Sequence, residues 1–112
     1  MTPRIASAVL VNALIRLAEG QGGFGVVVAK GDATAGALAV ILAEKGRKAC
    51  LLERALQPDG RYIWQSSTQD VENEADFQKR LDRKRKFDPD LWIVELDIAS
   101  AERFAAEMNA FG

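Results

Sequence analysis

Few residues in this chain have the chemical capacity for catalysis, and their spacing narrows them further. Cys50 is the single cysteine, and there is no histidine. Ser-His and Cys-His nucleophilic pairs, imidazole metal sites, intramolecular disulfides and cysteine-rich zinc sites are therefore excluded. Cys50 sits between Ala49 and Leu51-Leu52, the surroundings of an inert buried thiol rather than a nucleophile. Gly20-Gln21-Gly22-Gly23-Phe24-Gly25 spells G-x-G-x-x-G, a motif that holds a pyrophosphate only between a preceding strand and a following helix. Here a helical pattern precedes and a valine-rich run follows, so a phosphate would meet the negative end of a helix dipole. The glycines read as a helix stop. Asp88, Asp90, Glu95 and Asp97 suggest carboxylates that could hold Mg²⁺ at a strand end. Their spacing is too short for the usual nuclease arrangement, and Asp97 stands where such a site wants a lysine. The expectation is no catalytic set, no metal site and no cofactor.

Two constellations remain. Lys30-Gly31-Asp32, closed by Gly36, places a cation and an anion on a connection between two strands. Arg54, Trp64, Trp92 and Glu95 add a guanidinium, two large rings and a carboxylate, which makes these six side chains the candidate ligand-binding set. The competing reading is a solvated hairpin loop at 30–36 and two packing tryptophans. The second constellation is Lys79 to Lys86, six bases in eight residues. On a helix, Lys79, Arg80, Arg83, Lys84 and Lys86 fall opposite the apolar arc and only Arg85 turns toward it, so these five are the candidate polyanion contacts. Asp70, Glu72, Glu74 and Asp76 open the same helix. Acids first and bases last complement the macrodipole, and Asp76–Arg80 and Asp82–Lys86 are i, i+4 pairs in the favourable order. Residues 70–90 hold seven acids and six bases, so a self-compensated solvated face is expected, with nucleic acid not the expected partner.

The elements that must position these residues follow from periodicity and punctuation. Thr2 and Pro3 suit the start of a helix over about 4–19, dense enough in apolar residues to be buried on most sides. Gly20, Gly22 and Gly23 end it. Four short apolar runs, 24–29, 37–43, 49–53 and 61–65, read as strands. Lys45-Gly46-Arg47 is a tight turn, and Gln57-Pro58-Asp59-Gly60 has type I turn chemistry. Connections this short make the second, third and fourth strands an antiparallel meander. Ser66 to Asp70 is a capping cluster for a helix over 71–86, stopped by Asp88-Pro89. Residues 91–98 form the clearest strand, with Trp92, Val94, Leu96 and Ile98 on its buried face and Glu95 and Asp97 making the other face polar toward its end. Ser100 caps a last helix carrying Phe104, Ala105, Met108 and Phe111. The expectation is one α+β domain over 1–112 in the order α-β-β-β-β-α-β-α, mostly antiparallel with helices packed on the sheet. The strand order stays open.

The composition fits that class. The chain has 112 residues, 48% of them apolar and 28% charged, with 15 bases against 16 acids for a net charge of −1. There is no whole-protein field to gather nucleic acid or an anionic membrane. Met1 to Leu17 is interrupted at helical intervals by Ser7, Asn12 and Arg16 and has no small-residue cleavage site. It reads as an amphipathic helix, neither a signal nor a span, so the expected location is the cytoplasm, without membrane contact.

Several stretches resemble the uncharacterised bacterial family known as domain of unknown function 1491. They are Ser7 to Leu17 with Gly22-Gly23-Phe24, Lys30-Gly31-Asp32 with Ala35-Gly36, and above all Phe87-Asp88-Pro89-Asp90-Leu91-Trp92-Ile93-Val94-Glu95. The resemblance spans about residues 4–98 and implies a single domain with no assigned activity. The residues themselves point to a non-enzymatic binding or protein-interaction module, with a protein partner or a homodimer as its expected company. Polyanion binding through the basic helix end is one alternative; a small-ligand binder or enzyme built on the 30–36 loop is the other.

Overall fold

Glycine punctuation and strand alternation resolve into eight elements in the computed structural model, which describes residues 5–66 and 74–111. They are α1 (Ser7–Gly20), β1 (Phe24–Ala29), β2 (Leu38–Glu44), β3 (Arg47–Leu56), β4 (Tyr62–Ser66), α2 (Glu74–Phe87), β5 (Trp92–Asp97) and α3 (Ala101–Phe111). The five strands form one sheet in the order β1-β5-β2-β3-β4. β2, β3 and β4 are the expected meander. β5 enters between β1 and β2, antiparallel to the first and parallel to the second. Strands buried on both faces belong inside a covered sheet, and β2 and β5 are the two that are buried along most of their length.

The two faces carry separate cores. α1 and α3 cover one, where Leu10, Val11 and Leu14 meet Val40, Leu42, Val94, Leu96, Phe104 and Met108. α2 covers the other through Phe77 and Leu81, against Ile41, Leu51, Leu91 and Ile93. The result is a three-layer α+β domain, helices on both sides of a mostly antiparallel sheet.

The 30–36 segment is not a hairpin loop, because the strands that it joins do not pair. It is a strap laid across the start of β5. The Asp32 amide donates to Asp90 O at 3.0 Å, and Trp92 Nε1 donates to Asp32 O at 2.7 Å. A Cβ at Gly31 or Gly36 would run into the Asp90 carbonyl oxygen, so the strap can lie this close only where there is no side chain. The strap also starts α1. The amides of Ser7 and Ala8 donate to Thr34 O and Ala33 O, and the buried Ser7 hydroxyl donates to Gly36 O at 2.6 Å. These carbonyls take the place of a side-chain cap at Ala6. The expected Thr2-Pro3 start, the Ser66–Asp70 cluster beyond Ser66 and the Val71 helix start lie outside the described residues.

Other expectations shift in detail. α1 is amphipathic rather than buried on most sides: Ile5, just before it, and Val9 are exposed. β3 runs to ten residues, longer than 49–53, because the turn at Lys45-Gly46 lets pairing start at Arg47. That turn has positive φ at both residues, 53° and 81°, the geometry of a type I′ hairpin. Both its amides donate to the Asp97 carboxylate, at 3.1 and 2.7 Å. Ser100 caps α3 as expected through the Arg103 amide, and Glu44 adds an unforeseen cap by accepting from the Ala101 amide at 2.7 Å.

Candidate functional site

Trp64, Arg54, Leu38 and Trp92 fall in one row across the α1/α3 face. Asp32 reaches the Trp92 end of that row with a backbone carbonyl. Both tryptophans are core residues, 6% and 4% exposed, so neither offers a ring face to a ligand. Of the two readings, Trp64 and Trp92 fit that of packing tryptophans rather than ligand contacts: their indoles fill the space beneath α1 and α3. Arg54 is exposed and lies over the Tyr62 and Trp64 rings, 4.8 and 5.8 Å from their centroids. Glu95 is on the opposite face, 4.0 Å from Lys48 Nζ, and so cannot join Arg54. Lys30 is exposed on the strap. The six proposed ligand contacts are therefore divided between two faces and one end of the sheet. An open depression beside β3 and β4 is lined by Glu53, Arg54, Ala55, Gln65 and Ser66, and Glu53 there is engaged by Lys84 Nζ at 2.6 Å.

That ion pair also changes the basic helix. Lys84 is half-buried and turned to the sheet, and so leaves the outward set; Arg85 donates to the Leu91 carbonyl, turned inward as expected. Asp82 accepts from Gln78 Nε2 at 3.0 Å instead of pairing with Lys86. Lys79, Arg80, Arg83 and Lys86 remain exposed, and Phe87, 82% exposed, ends the same stripe.

The carboxylates named as metal candidates have structural duties. Asp88 accepts from the Asp90 amide at 3.1 Å, Asp97 holds the β2–β3 turn, and Asp90 presents its carbonyl to the strap. Among the described residues no three acidic or thiol groups converge. Cys50 is half-buried on β3, and burial, with the Glu44 charge behind it, pushes its thiol pKa up. A thiol held in its protonated form is a poor nucleophile.

The two edges of the sheet are finished differently. On β4, the Trp64 amide donates to Asn109 Oδ1 at 2.7 Å, and Asn109 Nδ2 donates back to Trp64 O at 3.3 Å. One side-chain amide from α3 thus occupies the main-chain groups at the centre of that strand. On β1, pairing with β5 satisfies one side only, and no described residue pairs with the other. The strand reads Phe-Gly-Val-Val-Val-Ala, without charge or proline. Phe24, Val26, Val27 and Val28 are 57, 51, 40 and 50% exposed. Sheet edges normally carry lysine, proline or a cover against pairing with other chains. Among the described residues a bulge between Val27 and Ala29 is the only such device. The sequence marks 24–29 as a strand without marking it as a site, although its six uncharged residues carry that signal, and it gives Asn109 no role.

The chain belongs to the protein family of unknown function DUF1491, whose model matches residues 5–106. It is similar to a DUF1491 family protein from Caulobacter crescentus CB15. The crystal structure of that protein is 33% identical with a TM-score of 0.80 over 90% of this chain and 94% of that one. An NMR structure of a family protein from the same source gives 33% identity and a TM-score of 0.77, over 92% and 94% of the two chains. The solution structure of a protein from A. tumefaciens is 32% identical, with a TM-score of 0.75 over 91% of this chain and 92% of that one. No curated protein matches. No described helix is long and apolar enough to cross a membrane.

Proposed function

We propose that this DUF1491 member is a non-catalytic protein-interaction module whose binding element is the free edge of β1. One observation carries the reading: an uncharged valine strand with four apolar side chains exposed, in a sheet whose other edge is occupied by Asn109. An edge of this kind accepts an extended segment by β-strand addition, main-chain hydrogen bonds supplying affinity and alternate side chains selectivity. The test is selection of displayed random heptapeptides on wild type and on Val26→Lys, a substitution that installs the charge natural edges use against pairing. Enriched sequences with β-branched or aromatic residues at alternate positions, lost on Val26→Lys, are the expected result. No enrichment, together with a chain that does not self-associate, sinks the reading.

The exposed stripe of Lys79, Arg80, Arg83 and Lys86, closed by Phe87, favours one second reading, a polyanion surface. Phosphate contacts make affinity fall steeply with salt, and an exposed ring beside cations suits stacking. Titration with generic single-stranded DNA and RNA at low and moderate salt, against an Arg83→Ala/Lys86→Ala variant, decides it. Absent or salt-insensitive binding removes it.

A further inference from the structure

We propose that the occupant of the β1 edge is a second copy of this chain, its β1 pairing antiparallel with this one across a two-fold axis. The inference rests on the interaction reading above and names its partner.

A two-fold axis sets a strand against itself, so any charged position near its centre meets its own like charge. β1 has none. With the axis at Val26, Gly25 falls opposite the second copy's Val27, and Phe24 lies toward its Val28, where the bulge ends the regular pairing. The Gly25 and Val27 pairing is complementary in volume. Gly25 is bare on the α1 face because Ile15 and Leu96 close over it, 2.8 and 2.7 Å from where its Cβ would be. Val27 is exposed on that same face.

Charge at the two ends selects the antiparallel sense. Lys30 leaves the C-terminal end of the strand, and Glu19, in the last turn of α1, lies just before its N-terminal end. Antiparallel pairing brings each Lys30 toward the other copy's Glu19, twice per axis; parallel pairing would bring like to like. α1 packs along β1, so the same axis brings the two α1 helices alongside one another. That enlarges the contact beyond a bare strand pair, toward the roughly 1,200–2,000 Å² of a standard interface. The product is one continuous sheet through both copies, with each outer edge closed by Asn109.

Sedimentation velocity of the full chain from about 1 to about 200 µM, with amide hydrogen exchange at the same concentrations, tests the pairing. The expected result is a mass that doubles with concentration, β1 amides whose exchange slows in step, and at least about tenfold weaker association in Val26→Lys. Circular dichroism checks that this variant is folded, and the wild-type exchange series needs no variant. A wild-type chain monomeric throughout overturns the inference. So does a dimer whose β1 amides gain no protection, or one that Val26→Lys leaves equally tight. A monomer that still selects peptides at β1 sinks the second copy and leaves the interaction module standing; a monomer that selects none sinks both.

Discussion

The β4 edge and the β1 edge end the same sheet and are finished in opposite ways. At β4, Trp64 sends its indole into the core while its backbone is held by an asparagine from the last helix. At β1, Gly25 lets α1 press close on one face, and four apolar side chains are left in solvent on a strand that β5 pairs on one side only. Neither strand has a charge, so composition does not separate them. What separates them is whether a helix supplies an amide in register with the free backbone groups. An edge is silenced by hydrogen-bond geometry, and hydrophobicity alone says little about which edge is open.

Breaking the closed edge at its anchor has the largest expected effect. Trp64→Ala empties a core site and should cost about 3–5 kcal/mol, read as a lower urea midpoint. A loss below about 1 kcal/mol would mean that the indole is not anchoring that edge. On the open side, Gly25→Val forces a branched side chain between Ile15 and Leu96 and should cost about 1–3 kcal/mol by overpacking.

Asn109→Ala sharpens the comparison by making the edges alike. It should cost about 1 kcal/mol, since water can reach part of the freed backbone. It should also speed exchange of the Trp64 amide, and unchanged exchange would show that Asn109 does not close the edge. Val26→Lys, assayed on dilute monomer, should move stability by no more than about 0.5 kcal/mol, because its side chain is already half in solvent.

Cys50, one strand inside the closed edge, supplies the smallest signal. Its folded pKa is raised, so its contribution to stability is whole below the unfolded thiol's pKa and fades as pH rises toward the folded value. Alkylation by iodoacetamide at pH 8 should be slower in the folded chain than in urea, and faster in Asn109→Ala than in wild type. Equal rates in folded and unfolded protein would contradict the burial.

Much of the fold was legible locally. The two faces of residues 91–98, the turn at Lys45-Gly46 and the Ser100 cap all follow from spacing within a few residues. The strap was not, because Lys30-Gly31-Asp32 with Gly36 looks like any glycine-bearing hairpin until β5, some sixty residues later, takes the place beneath it. Of the candidate sites, the outward basic stripe was readable from helical phase, but Lys84 was lost from it to Glu53, a partner on a distant strand. Asn109 had no local signal at all: a polar residue on a helix surface is ordinary until its height matches an unpaired strand.

The position of β5 has a consequence for how the chain reaches this state. β2, β3 and β4 are joined by short turns and can assemble alone, whereas β1 has no neighbour until residues 92–97 arrive from the far end of the sequence. Such distant pairing is slow, because loop closure precedes any stabilising contact. During synthesis the valine strand precedes β5 and waits for it while some sixty residues are added. That interval is when an uncharged edge is most prone to pair wrongly. β1 is therefore translated some sixty residues before β5, the strand that encloses its one paired side.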